Sequence, residues 1–317
     1  MLLHRPRRLI VYCSLFLPSL WVTGLMAAGI EPTLGEEGAL AAYAKAAKAL
    51  GTAESGEKPS VSEAAVRFSE WATNVGWIRT VQSGQIVVDV DANSGVIRCI
   101  TNKAARTKSE ASAESRLKEG KGFAPTRLPK EVIDAAEKFC LALGQRPARD
   151  VRLRVIQFDE KRGVWDLGWA RYIDGYLFDE EGVGITIDDQ TGDLLVYLNS
   201  TTTMTCNTEV RVSATKALSI ARDRMTKVLP NLVGNEPFEM KSSEEPVLYI
   251  VYANDLLGES RAAVPAAAQQ AVSPHAHLVY AVRFDFSYVG RETGHRIRGP
   301  VTVWVDAASG MVIGGRL

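Results

Sequence analysis

Apolar and polar side chains alternate along residues 86–90, 184–187 and 301–305, a period of two that predicts half-buried strands. Each run ends at an aspartate, and the surroundings of that aspartate recur. Ten-residue stretches beginning at Val88, Ile185 and Val303 share one signature: apolar, any, apolar, Asp, two variable residues, Ser or Thr, Gly, any, apolar. Asp91, Asp188 and Asp306 therefore occupy equivalent places, with Gly95, Gly192 and Gly310 four residues on. An aspartate can accept a hydrogen bond from the backbone two residues ahead, and glycine supplies the positive φ of a tight corner. Apolar residues resume at Val96, Leu194 and Val312, so each stretch predicts a β-hairpin. A calcium loop would use the same residue types, but it needs several converging oxygens. These corners offer one carboxylate each, or two in the second copy with Asp189, and a turn accounts for them better.

Helical spacing precedes each hairpin. Residues 61–75 place Ala64, Phe68, Trp71, Ala72 and Val75 along one face. Residues 129–143 do the same with Val132, Ala136, Phe139, Cys140 and Leu143, and residues 214–229 with Ala217, Leu218, Ala221, Met225 and Val228. End signals agree: Ser60 with Glu63 as a capping box, Pro129 in a first turn, Ser213 as N-cap, Gly76 and Gly144 after the first two helices, Pro230 as a stop for the third. Strand-like runs at 77–81, 151–159, 164–173, 246–254 and 277–289 fill the spaces between helix and hairpin. The chain thus predicts an α+β fold of tandem modules, each an amphipathic helix packed on an antiparallel β-sheet.

The helix, the strands and the closing D-x-x-[ST]-G hairpin resemble PepSY domains, which are peptidase propeptide and regulatory modules related to the propeptides of thermolysin-like proteases. The similarity is plainest over residues 165–197, and over 278–290 with 301–315. It covers residues 129–317 well and 60–101 loosely. The resemblance implies a PepSY/cystatin-like architecture and a secreted or cell-envelope protein that binds or restrains another protein, often a peptidase. It brings no catalytic residues with it. Residues 60–103 then form a partial module, 128–206 a full one, and 207–317 another with a loop insertion at 256–274. Residues 30–59 and 104–127 read as linkers, the latter polar enough for a linker or an exposed helix, and residues 39–50 as a short helix.

The N-terminus carries His4, Arg5, Arg7 and Arg8, then an uncharged run over 9–30 that closes on Ala27, Ala28 and Gly29. This is the three-part pattern of a secretory signal over residues 1–29, with an uncleaved membrane anchor as the alternative. Either way an extracytoplasmic location is expected. The chain has 37 basic and 37 acidic residues, so no basic field exists to hold nucleic acid. Charge is uneven, with ten acids over 159–193 against Lys161, Arg162 and Arg171. That stretch reads as a solvated sheet edge, or else as a surface for a cationic partner or metal. Cys13 leaves with the signal, and Cys99, Cys140 and Cys206 remain. Cys140 sits on an apolar helix face, while Cys99 and Cys206 follow the last strands of their modules and are the expected pair.

Catalytic chemistry finds little support. His275 and His277 share a strand face and His295 could join them on zinc, but they flank a long loop and read as solvated histidines. Ser213 with Lys216, and Ser115 with Lys118, match S-x-x-K without the companion K-T-G element. Trp165, Trp169, Tyr172 and Tyr176 cluster on one hairpin, as core or as a peptide groove. The sequence therefore predicts a non-enzymatic protein with no cofactor and no metal, partnered by another extracytoplasmic protein or a peptidase. A scaffolding module without a peptidase partner, and a metal-dependent hydrolase using His275 and His277, are the other readings.

Overall fold

The computed structural model describes residues 32–52, 58–67, 76–145, 150–234, 236–242, 244–254, 256–257, 272–290 and 294–316. The signal pattern at 1–29 and most of the 256–274 insertion lie outside them. In chain order the elements are α1 (Glu36–Leu50), β1 (Ser60–Val61), β2 (Ala65–Arg67), β3 (Gly76–Gln82), β4 (Ile86–Asp91), β5 (Ile97–Asn102) and α2 (Lys103–Lys118). Then follow α3 (Pro129–Ala142), β6 (Val151–Asp159), β7 (Val164–Ile173), β8 (Tyr176–Asp188), β9 (Leu194–Asn199) and α4 (Ala214–Leu232). The chain closes with β10 (Phe238–Ser242), β11 (Val247–Asn254), β12 (Val272–Val289), β13 (Arg296–Asp306) and β14 (Val312–Arg316). No helix among the described residues is long and apolar enough to cross a membrane.

The strands join one 14-stranded sheet that is antiparallel almost throughout. Its single described parallel contact pairs Tyr249 and Ile250 of β11 with Leu177 and Phe178 of β8. The expected separate sheets are thus fused: β8 serves both halves. From β8 the sheet runs through β9, β5, β4 and β3 one way, through β11, β12, β13 and β14 the other, and β7 with β6 flanks β8 on its second side.

Two apolar cores flank this seam. In the first, Val132, Ala136, Phe139 and Cys140 of α3 and Ala46 of α1 pack on Ile86, Val88, Ile100, Trp165, Trp169, Ile185 and Tyr197. In the second, Ala217, Ala221, Met225 and Leu229 of α4 pack on Ile250, Leu278, Val282, Phe284, Val303 and Val305. The spacing of three and four read from the sequence is what turns these residues toward the sheet. Ser213 caps α4 by accepting from the Lys216 amide at 3.3 Å. Glu131 accepts from the Leu128 amide at 2.8 Å at the start of α3.

The helix expected over residues 61–75 is not formed where the structure describes it. Ser60–Val61 and Ala65–Arg67 are strands paired with β3, so the Ser60–Glu63 capping box is absent too. Phe68, Trp71, Ala72 and Val75 lie outside the described residues. The helix on that side of the sheet is α1, the segment read as a short helix at 39–50. Pro230 does not end α4, which runs two residues further. Within the 104–127 linker, α2 is helical with Ala113 buried.

Candidate functional site

All three signature aspartates build the same corner. Asp91 accepts from the Asn93 and Ser94 amides at 3.1 and 2.9 Å. Asp188 accepts from Gln190 and Thr191 at 3.0 and 2.9 Å, and Asp306 from Ala308 and Ser309 at 3.1 and 2.7 Å. The glycine amide four residues on donates to the backbone carbonyl of each aspartate at 2.9 Å. Those glycines have φ of 72°, 77° and 79°, the region where only glycine is unstrained. A fourth corner escapes the signature. Asp159 accepts from Lys161 and Arg162 at 2.9 and 3.1 Å, with Gly163 at φ 68°, but Arg162 stands where Ser or Thr was expected. The corners sit at separate hairpins, and each carboxylate accepts from its own turn, Asp306 meeting His277 of β12 as well.

Asp189 behaves differently from its neighbour Asp188. It is buried, and it accepts from the Thr126 amide and hydroxyl at 2.7 Å each, the Arg127 amide at 3.1 Å and the Trp165 indole at 2.7 Å. Burial works against its charge, but these donors outweigh that and hold its carboxyl below the ordinary value.

The densest polar cluster lies at the seam between the two cores. The β7–β8 register jumps from Ala170↔Gly182 to Arg171↔Phe178, so Asp179, Glu180 and Glu181 bulge out of β8. Glu181, whose side chain is fully buried, meets Arg171 at 2.5 Å, the Thr202 hydroxyl at 2.5 Å and the Tyr252 hydroxyl at 2.5 Å. Arg171 also meets Asp150 at 2.8 Å and donates to the Met204 carbonyl at 2.8 Å. Glu180 accepts from the Tyr252 amide at 3.1 Å, and Asp179 meets Arg316 at 2.7 Å. The bulge therefore ties β7, β11, the 200–204 segment and the C-terminal strand together. The acidic stretch 159–193 is largely occupied by such internal partners, instead of forming a solvated edge.

The histidines do not converge. His275 and His277 lie in β12, which begins at Val272, not in a loop. His277 Nδ1 lies 3.1 Å from Asp306 Oδ2. His295 is at the opposite end of the β12–β13 ladder, ten residues along β12 from the Val279↔Asp306 pair, about 30 Å away. No group of three metal-binding side chains occurs among the described residues. Ser213 is a helix cap, and Lys118 of the other S-x-x-K match pairs with Glu114 at 2.8 Å. Cys99, Cys140 and Cys206 are all free thiols, so the expected Cys99–Cys206 pair is not formed. Burial pushes both Cys140 and Cys206 up to about 11. Trp165 and Trp169 belong to the first core, Tyr176 to the second, and Tyr172 lies under Arg152 at 5.0 Å. A shallow depression lined by Lys58, Ser60, Gln82, Ser83, Gly84 and Lys103 sits beside the β3–β4 turn.

Fold and site define an α+β protein with one large, mainly antiparallel sheet whose acids are built into its joints. No family model and no curated protein matches the chain. Among solved structures it is similar to the C-terminal domain of YpeB from Bacillus megaterium, with a TM-score of 0.37 and 10% identity over 89% of this chain and 97% of that one.

Proposed function

We propose that this chain is an exported, non-catalytic protein that acts by contact, binding or regulating another extracytoplasmic protein such as a peptidase. The observation that carries the reading is the commitment of its acids. Asp91, Asp188 and Asp306 close corners, Asp189 anchors the entry to α3, and Glu181 locks the seam. A carboxylate held by several fixed donors is a poor proton carrier and a poor metal ligand. The PepSY resemblance of residues 129–317 and the signal pattern of residues 1–29 support the same reading.

The test titrates the mature chain, residues 30–317, against peptidase activities from the extracytoplasmic fraction of the cells that make it. A saturable change in one activity is expected, with no hydrolysis by the chain alone, with or without added zinc. Turnover by the purified chain that disappears in His277→Ala would replace this reading with a metal-dependent hydrolase. A stable complex that leaves every activity unchanged would make the chain a scaffold.

A further inference from the structure

We propose that β6 is a docking edge, and that it takes an extended acidic segment of a partner as an added strand. The inference rests on the contact reading above and names the chemistry of the partner. Among the described residues β6 pairs with β7 on one side only, and no strand pairs with its other side. Nine residues make it about 30 Å long. The other ends offer less. β1 and β2 hold two and three residues, and β10 holds five. β14 is tied back to β11, because the Asn254 side chain donates to the Gly315 carbonyl at 2.9 Å and accepts from its amide at 3.0 Å.

Charge selects the occupant. Arg152, Leu153 and Arg154 are exposed in succession on β6. The acids that flank the strand are already taken: Asp150 by Arg171 at 2.8 Å and Asp159 by Arg162 at 2.8 Å. Arg152 rests over the Tyr172 ring, and Arg154 is the extra residue of a bulge between Leu153 and Val155. Neither arginine meets a carboxylate among the described residues. Charges and a bulge on an edge strand repel indiscriminate pairing. The same two cations complement a strand that carries Asp or Glu at alternate positions. A second copy of β6 centred on Leu153 would set Arg152 opposite Arg154, which opposes self-pairing in that register.

The probes are an octapeptide alternating Glu and Val and its counterpart alternating Lys and Val, followed by backbone hydrogen exchange. With the acidic peptide, amides within residues 151–159 are expected to exchange more slowly; with the basic peptide they are not. Arg152→Glu with Arg154→Glu, checked for folding by circular dichroism, is expected to weaken acidic-peptide binding about tenfold or more and to favour the basic one. No protection at millimolar acidic peptide, equal protection by both peptides, or protection by raised protein concentration alone would each overturn the proposal. A peptidase effect that survives the double variant would sink the edge and leave the contact reading intact. Peptide binding without any peptidase effect would keep the edge and remove the peptidase from the contact reading.

Discussion

The Trp165 indole donates to the Asp189 carboxylate at 2.7 Å, and both side chains are buried. Thr126 and Arg127, more than sixty residues earlier in the chain, donate to the same carboxylate. One acid therefore fixes the approach of the chain to α3 against the β7–β8 pair. Asp189→Ala removes the acceptor and leaves buried donors unsatisfied, so a loss of about 3 kcal/mol is expected. Thr126→Ala, which keeps the amide bond, should cost about 1 kcal/mol. Urea unfolding followed by tryptophan fluorescence measures both. Equal midpoints for Asp189→Ala and the parent would show that the anchor contributes nothing.

Asp306 gives the fold a defined acid response. Burial would raise its carboxyl, but hydrogen bonds from His277 and Ser309 outweigh it and bring the value from 3.8 to about 2. Because the folded value is the lower one, the unfolded chain binds the proton first as pH falls. The contribution is complete above about pH 4 and is lost through about pH 2. It amounts to about 2 kcal/mol for this nearly buried group. Asp306→Asn should lose that much at neutral pH and show a flatter acid limb. An acid limb identical to the parent's would contradict the assignment.

Two glycines separate conformational from steric cost. Gly95 has φ 72°, and a Cβ there would meet nothing nearer than Leu34 Cδ1 at 3.8 Å. Gly95→Ala should therefore cost only about 1 kcal/mol, from the left-handed backbone. At Gly182, beside the acidic bulge, a Cβ would lie 2.2 Å from the Trp169 carbonyl oxygen. Backbone cannot swing aside as a side chain can, so Gly182→Ala should cost about 3 kcal/mol. Thermal unfolding of the two variants tests the order, and a milder Gly182→Ala would refute it.

Local chemistry was legible in the sequence, and distant partnership was not. The corners at Asp91, Asp188 and Asp306 use donors two and three residues ahead, so a ten-residue window contains the whole device. The Asp159 corner has the same geometry, but a signature that demanded Ser or Thr passed over Arg162. Along α3 and α4 the apolar period matches the buried face, since each helix meets one core along its length. Residues 61–67 fit a helical spacing, yet pairing with β3 decides their conformation, a contact no local window contains. The roles of Asp189 and Glu181 depend on Thr126 and Tyr252, which no periodicity links to them.

The thiols offer a direct check on the missing disulfide. Cys140 is 1% exposed, and burial pushes it up to about 11, so little thiolate exists near neutral pH. A disulfide-exchange reagent should leave Cys140 unmodified in the folded chain of residues 30–317. Unfolding without reductant should release Cys99, Cys140 and Cys206 together. Recovery of a single thiol, with Cys140 as the one labelled, would restore the Cys99–Cys206 pair.

The seam makes the sharpest demand on the fold. Glu181 and Arg171 are 2.5 Å apart, with side chains 0% and 9% exposed, and neither can turn to water if its partner is removed. Deleting Glu181 leaves the buried Arg171 guanidinium with Asp150 as its remaining carboxylate, and breaking such a buried pair costs about 3–5 kcal/mol. Glu181→Ala should reach that range, because Thr202 and Tyr252 lose their acceptor as well. Arg171→Leu with Glu181→Leu leaves no stranded charge and should recover part of the loss. Since Glu181 joins β8 to β11, the single variant should also loosen the second core relative to the first. Hydrogen exchange would show this as faster opening at Ile250 and Tyr252 than at Ile185 and Tyr197. Uniform acceleration across both cores would mean that the halves unfold as one unit, and that the bulge stabilises the sheet without hinging it.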